Sequence, residues 1–128
     1  MKYLSDYIED KQTALFKVTN TIFAFSTKQF NEQKKEGIKY VRMGIGMFTD
    51  KRYVKRLINE MDKIYKEGIA QDIKENGLEN IILRELANHE AYYTGTIDDT
   101  FETLKPYKIT EEQIWKMYRN KNAKLTNN

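Results

Sequence analysis

Apolar residues along the chain recur mostly at spacings of three and four, the pattern of amphipathic helices. The first such stripe predicts a helix from about Lys2 to near Thr19. The longest stripe predicts a helix that is capped by Thr49 or Asp50 and ends at Gly77. Its apolar positions are Val54, Leu57, Ile58, Met61, Ile64, Tyr65, Ile69 and Ile73.

Three pairs of hydroxyl and acceptor side chains, three residues apart, indicate further helix starts. The first pair predicts a short helix through Lys35 that Gly37 would stop, and the second a short helix broken before Pro106. The third pair predicts the last helix. The pairs are Ser26 with Gln29, Thr96 with Asp99 and Thr110 with Gln113.

Period-two alternation is confined to one stretch, KYVRMGIGMF, which predicts a strand. Because a lone strand cannot satisfy its backbone, it needs a partner, and IFAFS is the only good candidate. The predicted fold is therefore mostly helical α+β, with five or six helices and one small two-stranded sheet. We expect one globular domain over residues 1–120 and a polar, frayed tail at 121–128.

Composition narrows the chemistry by exclusion. The chain has no cysteine and one histidine, which removes disulfides, thiolate nucleophiles and zinc sites built on cysteine or several histidines. Any metal would have to be a hard ion held mostly by oxygen. We expect neither a metal nor a cofactor. No run is long and apolar enough for a membrane span, and the acidic N-terminus argues against export. The net charge of +3 is too small to indicate a nucleic-acid partner.

The single histidine lies in RELANHEAYYTGTIDDT, within a helix predicted from Leu78 to about Gly95. At about 100° per residue from Leu78, Glu85 falls at about 340° and His89 at about 20°, inside the apolar stripe. We expect these two side chains to be buried and hydrogen-bonded to each other or to a shared partner. Two other interpretations remain: an acid–base cleft or a metal site. The acids available to either are Glu90, Asp98 and Asp99.

Four cations stand in the first two turns of the longest predicted helix, where the helix dipole disfavours positive charge. They follow Gly44-Ile45-Gly46, a weak form of an anion-binding turn. They form either a solvated basic face or a surface that binds phosphates or an acidic protein. Pairing with Glu60 or Asp62 would instead make them part of the fold. The predicted partner-binding residues are Lys51, Arg52, Tyr53, Lys55 and Arg56.

Tyrosine is abundant, with nine residues, and it is a favoured anchor at interfaces. Five tyrosines fall less clearly inside the predicted core. They are Tyr3, Tyr40, Tyr53, Tyr107 and Tyr118. No signature of a sequence-specific nucleic-acid-binding module is present.

Two motifs, FAFSTKQF and NHEAYYTGTIDDT, carry a resemblance that spans about Phe23 to Tyr118. The chain resembles a poorly characterised family of small proteins from phages, prophages and mobile elements of low-GC bacteria. The resemblance implies a genomic setting rather than a reaction. Small proteins from that setting are often inhibitors of host defence, anti-CRISPR proteins among them.

The leading hypothesis is accordingly a non-enzymatic, cytoplasmic binding protein that inhibits a bacterial defence complex by occlusion. Its partner would be a defence protein, such as an RNA-guided nuclease, or the guide RNA. One alternative is a metal-assisted hydrolase or nucleotide-modifying enzyme built on Glu85, His89 and Asp98. The other is a nucleic-acid-binding accessory protein that uses the basic residues.

Overall fold

The computed structural model describes the backbone of residues 1–126 and the side chains of residues 1–121. Within them, seven α-helices and a small three-stranded antiparallel sheet confirm the predicted mostly helical α+β class. The prediction was short by one strand and by one or two helices. The chain divides into two compact units: Tyr3–Gly68, and Met1–Lys2 with the described chain from Ile69 onward. The single domain expected for residues 1–120 stays a prediction.

The Tyr3–Gly68 unit holds the sheet and the helices around it. Helix α1 ends as predicted, because the Thr19 hydroxyl donates to the Leu15 carbonyl at 2.8 Å. The Ser26 hydroxyl caps α2 by accepting from the Gln29 backbone at 3.1 Å. Its elements are α1 (Leu4–Val18), β1 (Ile22–Phe23), α2 (Thr27–Gln33), β2 (Tyr40–Gly44), β3 (Met47–Asp50), a 3₁₀ turn (Lys51–Tyr53) and the start of α3 (Val54–Asn76).

The segment predicted as one strand is a hairpin, so that prediction was wrong. Its strands β2 and β3 pair antiparallel around a turn at Ile45 and Gly46. Gly46 has φ +70°, a conformation that favours glycine. A two-residue turn shifts the alternation by one position, but a register irregularity between Arg42 and Gly44 shifts it back, so the periodicity did not reveal the turn. The predicted partner strand is confirmed: β1 pairs with β3, giving the order β1-β3-β2.

Aromatic rings pack on both faces of the sheet. On one face Phe30 of α2 meets Phe48 and Tyr40 edge-on, at 4.9 and 5.5 Å between ring centroids. On the other face Phe23 packs against Phe16 of α1 at 5.1 Å. The two helices therefore enclose a sheet that could not be stable alone.

The other unit is entirely helical among its described residues. Its most deeply buried apolar side chains include Ile81, Leu86, Leu104 and Ile114. No helix in residues 1–126 is long and apolar enough to cross a membrane. After the end of α3 the elements are α4 (Leu78–Asn88), α5 (Ala91–Thr94), α6 (Asp98–Leu104), a 3₁₀ turn (Lys105–Tyr107) and α7 (Glu111–Thr126).

Three sequence predictions in this unit have different outcomes. The helix expected to continue to Gly95 breaks at Glu90, whose φ of 54° is left-handed. The Thr96–Asp99 cap was wrong, because α6 starts after Ile97 without a side-chain cap. The Thr110–Gln113 box is confirmed, with bonds of 2.8 and 3.2 Å. Helix α7 continues to Thr126, and residues 127 and 128 of the expected tail lie outside the described residues.

Candidate functional site

Asp50 organises the basic start of α3. Its carboxylate caps the 3₁₀ turn by accepting from the Arg52 backbone at 3.0 Å, which confirms the predicted cap. The Arg52 guanidinium lies against the same buried carboxylate, with Nη2 at 2.7 Å from Oδ2. These bonds, with a further one from Asn20, outweigh burial and hold the pKa of Asp50 well below its usual range. Arg52 therefore stabilises the fold as well as contributing positive charge.

The remaining basic residues fall into a paired and an unpaired group. Arg56 pairs with Glu60 one turn later at 3.1 Å, on the exposed side of α3. Lys51 and Lys55 are exposed and form no ion pair within residues 1–121. Tyr53 is half-buried, with the Arg52 guanidinium 5.1 Å from its ring centroid.

Lys39 is also exposed and forms no ion pair within residues 1–121, and it lies beside Lys51 because its carbonyl accepts from the Lys51 backbone at 2.8 Å. Lys39, Lys51 and Arg52 line one shallow cleft with Gly37 and Asp50. We call Lys39, Lys51 and Lys55 the cationic surface. Exposed lysines without carboxylate partners are available to anionic groups of a partner.

Glu85 and His89 lie close together but in different environments. The Glu85 side chain is 6% exposed and the His89 side chain 27%, with His89 Nε2 at 3.6 Å from Glu85 Oε2. That separation suits an ion pair when the imidazole is protonated, rather than a hydrogen bond. The histidine ring lies closer to Thr103, at 3.0 Å from its hydroxyl. His89 stands at the C-cap of α4, where its backbone still donates to the Glu85 carbonyl at 3.0 Å, and its side chain is half-buried rather than buried as expected.

A buried network beside Glu85 was not foreseen from the sequence. Arg84 donates to both carboxylate oxygens of Asp72 at 2.9 and 3.0 Å, and to Glu85 at 2.9 Å. It also donates to the Lys2 carbonyl at 2.9 Å. The side chains of Arg84, Asp72 and Glu85 are almost wholly buried. The wheel places Arg84 at about 240°, opposite the apolar stripe, which is why it was missed.

Asp72 is the best-satisfied acid of this network. It also accepts from Asn76 at 2.7 Å and from the Tyr107 hydroxyl. Burial would raise the pKa of Asp72, but the bonds from Arg84, Tyr107 and Asn76 outweigh it and lower that pKa. Burial, and then the bond to Asp72, raises the pKa of the Tyr107 hydroxyl. Tyr107, which sequence patterning left outside the core, is thus buried. These groups satisfy one another, an arrangement that braces the helices.

The three remaining acids predicted as ligands are solvent-exposed. Asp98 and Asp99 lie in the first turn of α6, where carboxylates complement the helix dipole. Glu90 stands at the break after α4. Within residues 1–121, no group of three or more acidic or histidine side chains could hold a metal ion.

Comparison with known proteins adds a family but no activity. No curated protein and no solved structure matches the chain. One family model, described as a family of unknown function, matches residues 4–126. That description names no partner, reaction or genomic setting, so the phage origin implied by the resemblance stays a prediction. Because the match covers nearly all of the sequence, the chain belongs to the family of unknown function DUF7659.

Proposed function

We propose that this chain is a non-enzymatic binding protein, carried by a phage or mobile element, that inhibits a bacterial defence complex. It acts in the cytoplasm of the bacterial host by occluding a surface that the complex needs. The observation that carries the proposal is the cationic surface: its three lysines are exposed, the backbones of Lys39 and Lys51 are hydrogen-bonded, and Lys55 follows in the first turn of α3.

Charge in the chain is concentrated around this surface. Between Thr21 and Arg56 there are nine lysines and arginines against three carboxylates. Two of those cations, Arg52 and Arg56, are partly neutralised by Asp50 and Glu60. The excess positive charge therefore belongs to Arg42 and the lysines, and the lysines can approach an anionic partner without first breaking an ion pair.

The polar groups that could serve an enzyme support binding rather than catalysis. Glu85 is committed to Arg84 inside the buried network, and a substrate would have to displace that pair. Asp98, Asp99 and Glu90 are exposed on other segments. A general acid or base needs an accessible position within hydrogen-bonding reach of its substrate.

The target carries negative charge at the contact, either on guide-RNA phosphates or on an acidic face of a nuclease. Such a contact speeds association and selects the partner more than it adds affinity. It is also screened by salt, with a Debye length of about 8 Å at physiological ionic strength.

The test is inhibition of DNA cleavage by a panel of purified RNA-guided nucleases loaded with guide RNA. The unmodified chain should bind one of them stoichiometrically and stop cleavage without turnover. Changing Lys39, Lys51 and Lys55 to Gln should weaken that binding at least tenfold. If guide-RNA phosphates are contacted, the log–log salt slope should fall by up to about 0.7 per lost contact on a single strand.

The matched control changes three exposed lysines of the other unit to Gln. These are Lys74, Lys116 and Lys121. The control protein should inhibit as well as the unmodified chain. Full inhibition by the variant lacking the cationic surface, or no binding to any member of the panel, would refute the proposal.

A further inference from the structure

The end of the β2–β3 hairpin presents large apolar side chains to solvent. Ile45 in the turn is 86% exposed and Phe25, which follows β1, is 73% exposed. The Phe25 ring lies so close to Gly46 that any side chain at Gly46 would collide with it. The Ala24 backbone donates to the Gly46 carbonyl at 2.9 Å. The two apolar groups are thus held on backbone that is tied to the sheet.

A cleft of about 380 Å³ opens beside these residues. Three aromatic rings line it, from Phe25, Phe30 and Phe48. Arg42 is the one charged residue in its lining, and its Nε donates to the Gly44 carbonyl at 3.3 Å. The cleft therefore combines an apolar floor with one positive charge.

Charge decides against a second copy of this chain as the occupant. Two copies meeting face to face at this end would bring Arg42 of one against Arg42 of the other, with no carboxylate among the described lining residues to offset either charge. Like charges placed together oppose association. The same excess of positive charge favours an occupant that carries carboxylates or phosphates.

The exposed aliphatic side chain of Ile45 indicates that the occupant of the cleft is a protein rather than a single-stranded nucleic acid. Nucleic acid gains from aromatic rings, on which bases stack, and from cations. Ile45 offers neither, and burying it is favourable only against another apolar surface. Exposed apolar groups with an arginine beside them are typical of protein interfaces.

We infer that the hairpin end, comprising Phe25, Ile45 and Arg42, docks an acidic segment of a partner protein. The segment inserts one large apolar side chain between the aromatic rings and places a flanking carboxylate on Arg42. This inference rests on the proposed function in one respect, that the partner includes a protein. The hairpin end shares no residue with the cationic surface.

The test uses short peptides and amide chemical shifts of the isotopically labelled full chain. The first probe is a capped pentapeptide with phenylalanine between two pairs of glutamates. It should shift the amides of residues 24–27 and 42–48 along a saturable curve. Replacing the central phenylalanine by alanine, or the glutamates by lysines, should weaken binding at least fivefold.

Two variants and two matched controls locate the binding. Phe25→Ala and Arg42→Gln should each weaken binding of the phenylalanine-containing peptide at least fivefold. The controls Tyr93→Ala and Arg119→Gln remove an exposed aromatic ring and an exposed guanidinium from the other unit, and should leave binding unchanged. If Phe25→Ala disturbs the spectrum beyond its neighbours, Ile45→Ser takes its place with the same expected loss.

Several results would overturn the inference. They are equal binding of the phenylalanine and alanine peptides, shifts that fall outside the hairpin end, or tighter binding of a five-nucleotide oligouridylate than of the peptide. The assay contains no nuclease, so failure of the peptides leaves the nuclease test intact. Conversely, if the variant lacking the cationic surface still binds the peptide, the inference about the hairpin end would stand even if no nuclease is inhibited.

Discussion

Arg84→Met tests whether the buried network stabilises the fold. Methionine fills a similar volume and leaves Asp72 and Glu85 without the cation that both of them contact. At least four hydrogen bonds disappear with the guanidinium, including the one to the Lys2 carbonyl. Asp72 keeps its bonds from Tyr107 and Asn76, whereas within residues 1–121 Glu85 keeps only longer contacts to Asn88 and His89.

The expected loss is large because both carboxylates stay buried. Removing one partner of a buried ion pair typically costs about 3–5 kcal/mol. Small domains are stable by only about 5–15 kcal/mol in total. At about 3–5 °C per kcal/mol for a chain of this size, the melting temperature should fall by about 10–20 °C. The melting temperature of Arg84→Lys should lie between those of Arg84→Met and the unmodified chain, since an ammonium keeps the charge but not the planar fork of donors.

The pH dependence gives a second, independent signature. Folding lowers the pKa of Asp72, so its stabilising contribution is present above the unfolded value of about 3.9 and is lost as pH falls through the lower folded value. In Arg84→Met the bond that contributes most to lowering the pKa of Asp72 is gone, so burial raises this pKa in the folded variant. The buried carboxylate then destabilises the variant at neutral pH, and protonation at lower pH relieves this effect. The difference in stability between the unmodified chain and Arg84→Met should therefore narrow as pH falls from 7 towards 4.

Thermal unfolding followed by circular dichroism measures both effects. Arg119→Met is the control, because that arginine is exposed on α7, and its stability should change by less than about 0.5 kcal/mol. A melting temperature for Arg84→Met within a few degrees of the unmodified chain would refute the structural role of the network. A difference that stays constant with pH would refute the assignment to Asp72.

Two smaller changes test other polar groups of the same unit. His89→Ala should cost about 1 kcal/mol, the usual net worth of a bond such as the one to Thr103, and an unchanged melting temperature would contradict this. Tyr92→Phe should stabilise the fold by up to about 1 kcal/mol, because the Tyr92 hydroxyl is buried and has no hydrogen-bond partner among the described residues. Its ring stacks on Tyr118 and should stay in place, so a lower melting temperature would mean that the hydroxyl is bonded after all.

Local signals in the sequence predicted most helix ends correctly. Helix α1 was foreseen within two residues at each end, and Asp50 was identified as one of two possible caps before α3. The Thr110–Gln113 box marked the start of α7. Apolar spacing and capping both act within one or two helical turns, so they can be read without knowing what lies opposite. The same signals located the start of the longest helix, and Lys51 and Lys55 were noticed because they lie in its first two turns.

Contacts between distant residues were decided by tertiary structure alone. Alternation could not show that KYVRMGIGMF folds back on itself, because the register irregularity between Arg42 and Gly44 cancels the one-position shift that a two-residue turn introduces. The helical wheel assumed an unbroken helix past His89, whereas Glu90 ends it in a left-handed conformation.

The buried network depends on the same long-range packing. It joins Asp72 to Arg84 and Tyr107, which stand 12 and 35 residues away along the chain. In the sequence, a polar residue on a helix that another element covers cannot be distinguished from one that faces solvent. Burial of Arg84 was therefore a property of the packed helices, and no pattern along the sequence carried it.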